Sequence, residues 1–225
     1  MRIILVATVI VLVAVQQFHT QEVITAINAG GQSYRSSYNI YYDGDTNQEG
    51  MGDSWHRQIE GLTCDYTLYE RYRHSPNRFT YMLSLRGDGL YALYLHFSDD
   101  SNEKGRRQFD VVLNNRHAVL RNIDLFDECG QYNVCNQVIY FSVCNGVMHW
   151  NGESSSLPYY DQKLTIDFVN KNHRASAAVD GLLLMKGRIG QAKTIIPAKS
   201  VIYFDPAYFR RCDEMGYPLL SEPAQ

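Results

Sequence analysis

The sequence lacks Asn-x-Ser and Asn-x-Thr sequons, any long apolar run after its first residues, and any dense cluster of Lys and Arg. Without a sequon, N-glycosylation is confined to the rare acceptor variant Asn133-Val134-Cys135. With a formal net charge of -3 there is no electrostatic reason to expect nucleic acid or anionic membrane as partners, because both demand clustered cations. The nearest approaches, Lys104-Gly105-Arg106-Arg107 and Arg210-Arg211, read as solvated loop charge. No segment of any length carries a helical apolar period, so the βαβ alternation of an α/β enzyme is missing. Also missing are a Gly-x-Ser-x-Gly elbow, a His-Glu-x-x-His motif and a phosphate-cradling glycine loop.

An apolar run from Ile3 to Val15 follows Met1-Arg2 and is short for a membrane span. It has the proportions of a signal-peptide core, so residues 1–20 are expected to be a signal peptide cleaved near Thr20, with an uncleaved anchor as the alternative. Cleavage implies no membrane insertion of the mature chain and places it in the endoplasmic reticulum lumen or outside the cell. Five cysteines remain, Cys64, Cys129, Cys135, Cys144 and Cys212, enough for two bridges and an odd thiol that is free or pairs with another chain. Cys129 and Cys135 are the first pair expected, since the loop between them is short. Their spacing is not that of a zinc site.

Strand signals dominate what remains. Leu90–Phe97 puts Tyr91, Leu93, Leu95 and Phe97 on one face and Ala92, Tyr94 and His96 on the other, both bulky, as in a strand covered on two sides. Gln108–Asn114, Gln137–Val143, Leu164–Val169 and Ala178–Met185 read likewise, separated by Asn- and Gly-rich turns. The expected architecture is all-β, a β-sandwich of the jelly-roll kind over residues 21–190. Residues 191–225, broken by Pro197, Pro206 and Pro218, form a partly packed tail in which Val201–Phe204 adds an edge strand or docks on the sandwich.

The chain holds 17 Tyr and 2 Trp, and sugar sites pair aromatic platforms with polar side chains. Trp55, in a glycine-rich loop, is a candidate platform or a cap on the core edge; Tyr72-Arg73-His74-Ser75 is a second candidate wall or an ordinary turn. Asp43–Gly50 alternates oxygen ligands in the manner of a calcium loop, but Gln48 and Ser54 occupy the positions where an EF-hand needs glycine and glutamate. It reads as an acidic turn, and no metal or cofactor is expected. Asp99 and Asp100 directly follow a strand and His96 precedes them, yet adjacent strand carboxylates point to opposite faces and do not converge as glycosidase chemistry requires. The chain is not expected to be an enzyme.

Several short segments in one order resemble the malectin domain: Ile27-Asn28-Ala29-Gly30-Gly31, Thr67-Leu68-Tyr69 with Phe79-Thr80-Tyr81, Tyr91–Phe97, Phe109–Asn114, Asn122–Phe126 and Val179–Gly187. The resemblance implies a β-sandwich like those of carbohydrate-binding modules, with a sugar cleft built by loops at one end. It also implies the secretory pathway, where the family's namesake binds diglucosylated high-mannose glycans through four aromatics and an aspartate. Carried over residue by residue, the first aromatic falls on Trp55 and the second on His74, with Arg73 matching beside it. The adjacent aromatic pair falls on Ser101 and Asn102, and the aspartate near His173 or Arg174. The implied ligand-binding set is Trp55, Arg73, His74, Ser101, Asn102 and Arg174. Two functions follow: a non-catalytic carbohydrate-binding protein recognising glucosylated or other N-glycans, and an extracellular structural or protein-interaction module that has lost sugar binding. A covalent or non-covalent protein partner fits the second.

Overall fold

A computed structural model describes residues 22–52, 59, 65–158, 162–187 and 200–201. Among them the largest sheet has nine strands. Its order is β12 (Glu153–Ser156), β11 (Val147–Trp150), β10 (Val134–Cys144), β7 (Gly89–Ser98), β15 (Gly181–Lys186), β1 (Glu22–Asn28), β3 (Tyr41–Gly44) and β2 (Tyr34–Arg35), with β16 (Ser200–Val201) parallel to β10. A second sheet runs β6 (Arg78–Ser84), β13 (Lys163–Asn170), β8 (Gln108–Leu113), β9 (His117–Asp124). A small third sheet joins β14 (Ala177–Val179), β5 (Arg73–Ser75) and β4 (Met51–Gly52). Two short helices, α1 (Tyr66–Tyr69) and α2 (Leu125–Cys129), complete the described elements.

The alternation in β7 organises both layers. Tyr91, Leu93, Leu95 and Phe97 enter the main core between the two large sheets, where Phe79 stacks on Phe168 at 4.7 Å and Tyr91 on Phe141 at 5.2 Å. Ala92 and Tyr94 face the other way into a second apolar layer with Tyr42, Tyr69, Val138 and Leu183, covered by α1 and by β2–β3. His96 shares that outer face and is 1% exposed. Both faces of the central strand are therefore dry, as its sequence requires.

The strands expected at Leu90–Phe97, Gln108–Asn114, Gln137–Val143 and Leu164–Val169 are present as β7, β8, β10 and β13. Ala178–Met185 is not one strand but two. Asp180, fully buried, turns its carboxylate onto the Ser98 amide at 2.6 Å and the Ser98 hydroxyl at 2.8 Å. That separates β14, which pairs with β5, from β15, which pairs with β1 and β7. Cys129 and Cys135 are bridged, tying α2 to β10, and Cys144 is disulfide-bonded as well. Trp55, Cys64, Cys212 and residues 202–204 lie outside the described residues, as does most of the tail.

Candidate functional site

Three segments meet at one end of the sandwich: β5, the 99–107 loop between β7 and β8, and the 171–176 loop between β13 and β14. The loops are cross-braced through Asn172, whose amide donates to the Gly105 carbonyl at 3.0 Å and to Gln108 Oε1 at 3.1 Å. His74 of β5 pairs across to Ala178 of β14, so the small third sheet joins the same end.

Beneath this surface lies Arg107. Its Nε donates to Asp99 at 3.0 Å, one Nη to Asp100 at 2.9 Å and the other to the Ser176 carbonyl at 2.9 Å. The guanidinium also sits 5.7 Å from the centre of the Tyr72 ring, which in turn lies 5.3 Å from His74. Burial works against its charge, but the two carboxylates together outweigh it and raise the Arg107 pKa above the ordinary value. Two sequence expectations are corrected here. Arg107 is a buried network centre rather than solvated loop charge, because its positive charge has two carboxylates and a carbonyl around it. Asp99 and Asp100 do converge, because β7 ends at Ser98 and the strand alternation no longer applies to them. Both carboxylates are turned onto the Arg107 guanidinium.

Of the sequence-predicted site residues, His74 is half-buried at the surface. Asn102 is exposed and accepts from Arg106 at 3.0 Å, and the exposed Arg174 pairs with Glu103. Ser101 is buried and gives its hydroxyl to Asp99. Arg73 is also buried, its Nε on Asp45 at 2.9 Å. The structure thus brings His74, Asn102 and Arg174 to one end, with Ser101 under them and Arg73 pointing into a separate hub.

That hub is Asp45, from the loop read as an acidic turn. Its carboxylate accepts from the Gly30 amide at 2.6 Å, from Arg73, from the Tyr81 hydroxyl at 2.7 Å and from the Asn47 amide at 2.8 Å. Burial, reinforced by the Asp45 charge, pushes the Tyr81 phenol up, so it remains a donor to that carboxylate. Both carboxylate oxygens are engaged by the protein itself, and no group of three His, Cys, Asp or Glu residues among the described ones is placed to hold a metal. Sequence reasoning missed Arg107 and Asp45 because their partners come from distant segments; the available signal was only the density of charge around each.

Residues 23–182 match the Malectin domain. The chain belongs to the malectin-domain family. It is similar to Malectin of Danio rerio, with 27% identity over 79% of this chain and 62% of the relative. Against Malectin-A of Xenopus laevis the values are 28%, 78% and 64%, and against Malectin of Homo sapiens 27%, 79% and 61%. The chain therefore spans a little over three-fifths of the length of these relatives. Among solved structures, the plant receptor-like kinase FER has a similar fold, with a TM-score of 0.60 at 14% identity over 76% of this chain and 50% of that one. The ANX1 ectodomain from Arabidopsis thaliana gives 0.58 at 16% over 76% and 50%. The beta-glucuronidase of Bacteroides uniformis gives 0.56 at 16% over 73% of this chain and 18% of its own. At these identities the likeness is one of fold, and it is the all-β sandwich expected from the sequence.

Proposed function

We propose that this malectin-domain chain is a non-catalytic, lectin-like protein of the secretory pathway that binds carbohydrate at the loop end of the sandwich. The observation that carries this reading is the family match over residues 23–182, together with the convergence of His74, Asn102 and Arg174 at that end. His74, Asn102 and Arg174 offer planar hydrogen-bonding groups to sugar hydroxyls, and Trp55 supplies the stacking platform. Ser101 serves from below, through Asp99, while Arg73 braces the Asp45 hub rather than the loop end. Non-catalytic action is supported by the geometry of the nearby carboxylates. Asp99 and Asp100 are both turned onto Arg107 and Glu103 onto Arg174, whereas glycoside hydrolysis needs two carboxyl groups facing each other across the scissile bond.

A specific observation favours a second reading, an extracellular interaction module without sugar binding. The positions onto which an adjacent aromatic pair would fall hold Ser101, buried, and Asn102. A glycan array probed with the secreted chain, its Trp55→Ala variant and its Arg174→Ala variant separates the two. Selective signal on glucosylated or other defined N-glycans, lost in both variants, is the expected result. A folded protein silent on every glycan overturns the lectin reading in favour of the interaction module.

A further inference from the structure

A second concave surface lies away from the loop end. β1 packs against β6, the edge strand of the smaller sheet, and β3 and β2 continue the larger sheet past it. The overhang leaves an open groove of about 760 Å³, lined by Ile27, by Tyr41 and Asp43 of β3, by Met82 and by the loop that follows β3. Its size falls within the range of roughly 300–1,000 Å³ found for small-ligand clefts. None of the loop-end residues lines it.

We propose that this groove is a second saccharide site, for a neutral oligosaccharide. Tyr41 is 51% exposed and Met82 64% exposed, set among the amides, hydroxyls and carboxylates of Gln32, Asn47, Thr80, Asp43 and Glu49. An exposed ring set among polar groups matches a sugar, which has an apolar C–H face and a rim of hydroxyls. The Arg35 guanidinium, 5.9 Å from the ring centre, steadies Tyr41. The side chains of Asp43 and Gln32 make no hydrogen bond among the described residues and are available to hydroxyls.

Charge narrows the ligand. No Lys, Arg or His lines the groove among the described residues, whereas Asp43, Asp45 and Glu49 do, so uronates and sulfated or sialylated glycans are disfavoured. Geometry argues against a peptide added as a strand to β6. At Thr80 the free edge is already closed, since Asn47 Nδ2 donates to the Thr80 carbonyl at 2.9 Å and the Thr80 amide donates to Glu49 at 2.8 Å. The Asp45 hub holds that wall in place without a ligand.

The test is a titration of the secreted chain carrying ¹³C-methyl methionine, with the Met82 signal assigned through Met82→Leu. Cellotetraose, maltotetraose and mannotetraose are each added to about 10 mM, a range suited to weak sites, and tetragalacturonate and tetralysine serve as charged probes. At least one neutral tetrasaccharide is expected to move the Met82 methyl to saturation, with binding weakened about tenfold by Tyr41→Ala. Tetragalacturonate is expected to leave it unmoved. Tyr41 is a surface residue, and an unchanged far-ultraviolet circular dichroism spectrum confirms that its variant folds. Four results overturn the proposal: a still Met82 with every neutral saccharide, equal binding by Tyr41→Ala, an equal response to tetragalacturonate, or movement with tetralysine alone, which assigns the groove to a cationic peptide. A silent array with a moving Met82 retains this site and removes the loop-end one; a selective array with a still Met82 does the reverse.

Discussion

At the scale of single residues, buried polar groups decide how this protein responds to its surroundings. His96 is fully enclosed on the outer face of β7, with Nδ1 2.8 Å from the Asn136 carbonyl oxygen and Nε2 3.2 Å from the Tyr42 hydroxyl. An amide carbonyl can only accept, so the proton sits on Nδ1 and Nε2 accepts from Tyr42. Burial is the main cause that lowers the His96 pKa from 6.5 to about 4, against a smaller opposing effect of Asn136. Below pH 6.5 the unfolded chain takes up a proton that the folded chain refuses. Stability is therefore full above the unfolded value, falls as pH drops from 6.5, and levels off below about 4, a loss of about 3 kcal/mol. Urea titrations at pH 7.5 and 4.5 should show that loss in the wild type and less of it in His96→Gln. Arg107 gives a second expectation. Arg107→Met leaves Asp99, which is fully buried, without its counter-charge and should cost about 3–5 kcal/mol, while adding Asp99→Asn recovers part of it. The same two-variant denaturation series checks both signs.

At the scale of elements, the Asn28-Ala29-Gly30-Gly31 segment shows why a short motif can be read without knowing what it does. Gly30 has φ +71, and a Cβ there would lie 2.5 Å from the Tyr72 carbonyl oxygen, a backbone atom that cannot step aside. Its amide also donates to Asp45. Gly30→Ala therefore pushes apart the end of β1 and the entry to β5, and its cost should exceed about 2 kcal/mol. Gly87 supplies the contrast, with φ +66 but open space around it. Gly87→Ala should cost only the backbone term, about 1 kcal/mol. Paired thermal melts measure the difference, and equal losses would remove the steric account. The break at Asp180 belongs to the same scale: Ala178–Met185 is apolar on both sides of Asp180, and the bonds of that residue to Ser98, His96 and Ala29 mark where the run splits.

At the scale of the whole molecule, one strand serves two layers. Phe168 stacks with Phe79 and meets Tyr81 and Phe109 in the main core, and β7 carries that core's load to the tyrosine-rich layer on its other face. Phe168→Ala should cost about 3–5 kcal/mol. Because the layers share β7, near-ultraviolet circular dichroism of the tyrosines and far-ultraviolet circular dichroism of the sheets should shift together to one lower midpoint. Separated midpoints would mean that the layers unfold independently. The unequal widths of the two sheets also belong here, since they open the flank at Tyr41 and Met82.

The sequence by itself determined the fold class, the strands at Leu90–Phe97, Gln108–Asn114, Gln137–Val143 and Leu164–Val169, and the Cys129–Cys135 pair. Each depends on local alternation or short loop length, which neighbouring residues carry among themselves. It also placed His74, Asn102 and Arg174 as candidates, through family resemblance rather than through any pattern of their own. Tertiary structure alone decided that Arg107 is buried between Asp99 and Asp100, that Asp45 collects Gly30, Arg73 and Tyr81, and that Ser101 faces inward. The groove at Tyr41 was likewise invisible in the chain. Such arrangements depend on which charge or ring arrives from a segment tens of residues away. Hydrophobic periodicity says which face of a strand is dry, but the identity of the polar partner is settled only when the sheets are laid together.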